Sequence, residues 1–115
     1  MAGTRLNASV EAAGLIRRAE AEGGFGAVLR KGDSERGSLL IVVRSRDGHV
    51  TCLERALDFA SGEYRWAQAG PAAGADPENL TEFLNKRVRF DEDSWLIELD
   101  VAHPERFIAE TMSAG

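Results

Sequence analysis

Five consecutive apolar residues, Leu-Leu-Ile-Val-Val at 39–43, stand out in a chain whose apolar positions otherwise alternate or recur at helical spacing. A strand apolar on both faces must be covered on both, so this run predicts a central strand. Asp47-Gly48 follows it, the dipeptide of a two-residue type I′ hairpin. The stretch up to Arg55 then reads as the returning strand. With that turn Arg46 pairs with His49, Arg44 with Thr51, Val42 with Leu53 and Leu40 with Arg55.

The same reading extends outward from the hairpin. Residues 10–22 carry Val10, Ala12, Ala13, Leu15, Ile16 and Ala19 against Glu11, Arg17, Arg18, Glu20 and Glu22, a helical pattern with Asn7 or Ser9 as N-cap. Gly23-Gly24 ends that helix. Phosphate loops run strand, glycines, helix; here the glycines follow a helix and precede the strand 25–30, so that chemistry is set aside. Residues 31–36 form a polar loop and 57–62 an irregular one. Residues 64–69 alternate polar and aromatic positions as a strand, with Tyr64 and Trp66 on one face. Asp76-Pro77-Glu78 opens a helix with an N-cap, a proline at the first helical position and an acid against the dipole. Leu80, Phe83, Leu84 and Val88 continue it. Residues 94–101 form a strand with Trp95, Ile97 and Leu99 on one side. Pro104 opens a short last helix with Phe107 and Ile108 inward. The predicted fold is α+β: a mainly antiparallel sheet of about five strands around the hairpin 38–55, with two longer helices and a short C-terminal helix packed on it. It forms a single domain over 1–115, with 1–6 and 112–115 mobile.

Composition narrows the class. A chain of 115 residues with 43% hydrophobic and 29% charged residues supports one core. One cysteine, Cys52, excludes an intramolecular disulfide and fits a reducing compartment. No apolar run spans a bilayer and the N-terminus has no signal-peptide core, so a cytoplasmic protein without a membrane partner is expected. The net charge of −5 disfavours nucleic acid. Twelve of the fourteen basic residues are arginine, since only Lys31 and Lys86 are lysine.

The predicted register gathers Arg44, Arg46, His49 and Arg55 on one sheet face. With Arg65 they are the candidates for binding an anion or an acidic partner segment. Tyr64 and Trp66 are candidate interface anchors if that strand is an exposed edge. The acids Asp91, Glu92 and Asp93 match no metal loop and read as a charged helix–strand connection, so no metal is expected. Cys52 is mid-strand and on the opposite face from His49, which reads as a small buried hydrophobe rather than a nucleophile. Neither catalytic residues nor a cofactor motif emerge. The expectation is a non-catalytic binding or interaction protein whose partner is another protein or a second copy of itself. The alternative is a small enzyme or ligand-binding domain for a phosphate- or carboxylate-bearing metabolite.

Several segments together resemble a known family. These are LIRRAEAEGGFGAVLRKGD, SLLIVV, the isolated Arg65-Trp66 and RFDEDSWLIELD. The chain is similar to domain of unknown function 1491, a family of small alphaproteobacterial proteins, and the Arg-Phe-Asp run followed by Trp95 is the most specific part. The resemblance implies an α+β fold and a bacterial cytoplasmic protein. It implies no catalytic residues.

Overall fold

The computed structural model describes residues 7–34, 38–45, 48, 50–71 and 76–114, with backbone alone at 56–58 and 114. The described chain folds into five strands and three helices: α1 (Ala8–Ala21), β1 (Phe25–Arg30), β2 (Leu39–Arg44), β3 (Val50–Asp58), β4 (Glu63–Ala69), α2 (Pro77–Phe90), β5 (Trp95–Asp100) and α3 (Pro104–Ala114). The strands form one mixed sheet in the order β1-β5-β2-β3-β4.

The apolar run 39–43 is the middle strand, and all five of its residues are at most 2% exposed. Burying five such aliphatic side chains contributes on the order of 10 kcal/mol before entropy is charged against it. β5 enters beside β2 in parallel and beside β1 antiparallel. Parallel neighbours need a long crossover, and here it runs through β3, β4 and α2.

The two faces are covered unequally. On one, α1 lies over β1 and β5 while α3 lies over β2 and β4. Ile41, Val43, Leu53, Trp66, Trp95, Ile97, Leu99 and Phe107 form the main core there. Alternation puts Val42, Cys52 and Leu96 on the other face, against Leu80, Phe83 and Leu84 of α2. That second cluster is small.

Local chemistry sets the element ends. The Asn7 side chain accepts from the Ser9 N–H (3.0 Å) at the start of α1. Gly23 adopts φ +86° just past its end, a conformation glycine enters without a Cβ penalty. Trp95 starts β5 with two bonds: its backbone N–H donates to the Ser38 carbonyl (2.7 Å) and its indole Nε1–H to that of Asp33 (2.9 Å).

Two expectations need correction. The hairpin register is offset by one residue, since Arg44 pairs with Val50, Val42 with Cys52 and Leu40 with Glu54. Five residues, 45–49, therefore connect the strands. A one-residue offset moves a strand's side chains to opposite faces. Second, β3 continues through 57–58 rather than becoming irregular, because β4 pairs with it as far as Asp58↔Glu63. The last helix, with eleven residues, is shorter than α1 and α2, which have fourteen each. Thr111, 2% exposed, anchors its last turns.

Candidate functional site

Helix α2 is held at both ends and along its inner stripe. The Asp76 carboxylate accepts from the Glu78 N–H (2.9 Å), and Pro77 fills the first helical position. The Phe83 ring packs onto Gly70, where a Cβ would lie 2.7 Å from the ring. Arg87 forms an ion pair with Glu54 on β3. At the far end the Asp91 carboxylate accepts from the Ser38 hydroxyl and the Asp93 N–H, both at 3.1 Å.

Thus fixed, α2 leaves a groove of about 600 Å³ between itself and the β1–β5 edge. Leu96 of β5 lies at its base, and Leu84 and Val88 line it from α2. The opposite wall is Leu29 and Arg30, and a bulge explains how two successive residues reach one groove. Val28 pairs with Ile97 but Arg30 with Leu96, so Leu29 is the extra residue. Bulges re-aim side chains in this way. Asn85 and Arg89 complete the lining, and among the described residues none of it is acidic.

Among the described residues, nothing acidic pairs with the charges in the groove. Arg30 Nη2 donates to the Glu92 carbonyl (2.9 Å), while its Nε is buried without a hydrogen-bond partner. Arg89 is exposed. Among the described residues, neither guanidinium forms an ion pair. A second recess on the other flank of α2, about 320 Å³, differs in this respect. Its Arg87 is paired with Glu54 and its Ser38 with Asp91.

The hairpin arginines are not brought together. Arg44 lies on the α2 face, 2.7 Å from Glu98. Arg55 lies on the opposite face, 3.4 Å from Glu11 and with its guanidinium 5.6 Å from the centre of the Trp66 ring. Both members of the Arg55–Glu11 pair are largely buried, so it is a structural tie between α1 and the sheet. Arg65, on β4, is 3.5 Å from Glu63. Arg46 and His49 lie outside the described residues. The offset register is the reason Arg44 and Arg55 part company. Trp66 is 7% exposed within the main core rather than an open anchor, and Tyr64 is half-buried.

Burial raises the Cys52 thiol above its ordinary pKa, against a smaller lowering by the Arg44 charge. That favours the inert thiol. Among the described residues no three His, Cys, Asp or Glu side chains are grouped to hold a metal, and no helix is long and apolar enough to cross a membrane.

The family model for a protein of unknown function, DUF1491, matches residues 6–109. The chain belongs to the DUF1491 family. Solved structures of similar proteins agree with the fold. An NMR structure of a DUF1491 protein from Caulobacter crescentus is 31% identical, covers 91% of this chain and 94% of its own, and superposes with a TM-score of 0.76. A crystal structure of a DUF1491 protein from the same organism is 33% identical over 84% of this chain and 88% of its own, with a TM-score of 0.72. A solution structure of a protein from Agrobacterium tumefaciens is 30% identical over 85% and 87%, with a TM-score of 0.73. No curated protein matches the chain.

Placed in this fold, the run that carried the family resemblance divides by role. Asp91 and Trp95 are structural, through the hydrogen bonds above. Phe90 is 92% exposed and Arg89 borders the groove. Neither Arg30 nor Arg89 was among the binding candidates drawn from the sequence. The spacing of Leu84, Asn85, Val88 and Arg89 does place them on one helical face. Nothing local announces the bulge that sets Arg30 opposite them.

Proposed function

We propose that this DUF1491 protein is a cytoplasmic, non-catalytic interaction protein that associates with a second copy of itself or another protein across the open edge of β1. The observation that carries this is the exposure of Phe25 (56%), Val28 (41%) and Leu29 (52%) on an edge strand. An unpaired apolar edge is a template for strand addition. Sedimentation velocity over a concentration series tests the self-association form, with Val28→Lys as the comparison. The expected outcome is a concentration-dependent dimer that the variant loses. A wild-type chain that stays monomeric at every concentration overturns self-association. If its β1 amide signals are also unchanged on adding native cell lysate, the interaction reading falls with it.

A second reading, a binding domain for a carboxylate- or phosphate-bearing metabolite, is favoured by the two arginines of the α2 groove, which have no carboxylate partner among the described residues. It needs nothing from Arg44, whose charge Glu98 already meets.

A further inference from the structure

The α2 groove combines two features that together specify a ligand class. Its walls are aliphatic: Leu29, Leu84, Val88 and Leu96. Among the described residues its charged side chains are both cationic, Arg30 and Arg89, in a chain with 19 acids and a net charge of −5. Mean composition would place carboxylates near such arginines, as happens at Arg44, Arg55, Arg65, Arg87 and Arg106. At this groove, among the described residues, it does not happen. Arg30 is oriented by a backbone carbonyl, which fixes the guanidinium without neutralising it. The β1 bulge turns Leu29 and Arg30 into the same space, setting an apolar wall beside a positive charge.

We infer that this groove binds a small amphiphilic anion, a carboxylate or phosphate on an aliphatic body, with the head on Arg30 and Arg89 and the body against Leu84, Val88 and Leu96. The inference rests on the metabolite-binding reading above and deepens it by naming the apolar half of the ligand. The volume of about 600 Å³ falls in the range of small-molecule sites. Guanidinium groups suit the head because they meet carboxylate and phosphate oxygens with paired N–H donors. The aliphatic walls supply what a bare ion would not use.

The test is a two-dimensional amide NMR titration of the full chain with three probes: octanoate, octanol and inorganic phosphate. Octanoate is expected to give saturable shifts at 29–30, 84–89 and 96, with affinity about tenfold above that of either other probe. Octyl phosphate in place of octanoate separates a phosphate head from a carboxylate one, and saturable binding of either at these residues supports the inference. Arg89→Gln, an exposed substitution that leaves the fold intact, is expected to weaken octanoate several-fold and leave octanol unchanged. Arg30→Gln serves as a second variant, read only if its spectrum remains that of the folded chain. Phosphate binding as tightly as octanoate at these residues overturns the amphiphile inference while sparing the anion reading. The absence of saturable shifts with every anion overturns both, as does octanoate binding that Arg89→Gln does not change.

Discussion

Beyond the core packing of Phe107 and Ile108, helix α3 is clamped by Arg18 of α1, and Arg18→Ala tests how strongly. The Arg18 guanidinium lies 3.7 Å from the centre of the Phe107 ring. Its Nη2 donates to the Phe107 carbonyl (2.8 Å) and to Thr111 Oγ1 (2.6 Å). Charged hydrogen bonds contribute about 1.5–3 kcal/mol each, and stacking on the ring adds roughly 1 kcal/mol. Two effects offset this. The Phe107 carbonyl keeps a donor in the Thr111 hydroxyl (2.8 Å), and freeing the arginine returns up to about 2 kcal/mol of side-chain entropy. The expected net loss is about 2 kcal/mol, which for a domain of this size lowers Tm by about 8 °C. Urea denaturation followed by fluorescence of Trp66 and Trp95, both buried, measures it. A cycle with Thr111→Val should give a coupling of about 1 kcal/mol. Arg17→Ala, one residue away on the exposed side, should change stability by under about 0.5 kcal/mol. An Arg18→Ala loss no larger than the Arg17→Ala one, or strict additivity in the cycle, would refute the clamp.

Two further outcomes follow from particular side chains. Phe90→Ser should leave the urea midpoint within about 0.5 kcal/mol of wild type because the ring is 92% exposed. Asp91→Ala, next to it, should cost about 1–2 kcal/mol by stranding the Ser38 hydroxyl and the Asp93 N–H; equal effects at both positions would contradict the division of roles in this run. Cys52 gives a pH dependence whose sign follows from its raised pKa. The folded state resists forming the thiolate, so the contribution is fully present below the unfolded thiol pKa and is lost as pH rises through the folded one. Comparing wild type with Cys52→Ala at pH 8 and pH 10, the gap between their urea midpoints should narrow at the higher pH. Parallel profiles would show that burial does not perturb the thiol.

The apolar run 39–43, the alternation at 95–99 and the helix boundaries at Asp76 and Gly23 were legible because each rests on local rules. Side-chain period, N-cap acceptors and left-handed glycine are properties of a few adjacent residues. They determine which segments become strands and helices, and that the strand at 39–43 is covered on both faces. Cys52 as a buried thiol follows from the same short-range logic.

The register and the company each arginine keeps were decided elsewhere. Asp47-Gly48 predicts a two-residue turn, but pairing that aligns Val42 with Cys52 packs both under α2, and Leu53 then joins Ile41 in the main core. Cooperative burial across both faces outweighs the preference of one dipeptide, because a register fixes every side chain on the strand at once. That choice separates Arg44 from Arg55. The groove has the same origin: Arg30 and Arg89 are 59 positions apart, and only the insertion of β5 beside β1, with the bulge at Leu29, sets them around one space. Sequence alone determined the elements and the family of this protein. Which charges are paired and which are left open was decided by long-range strand order, a property no local window contains.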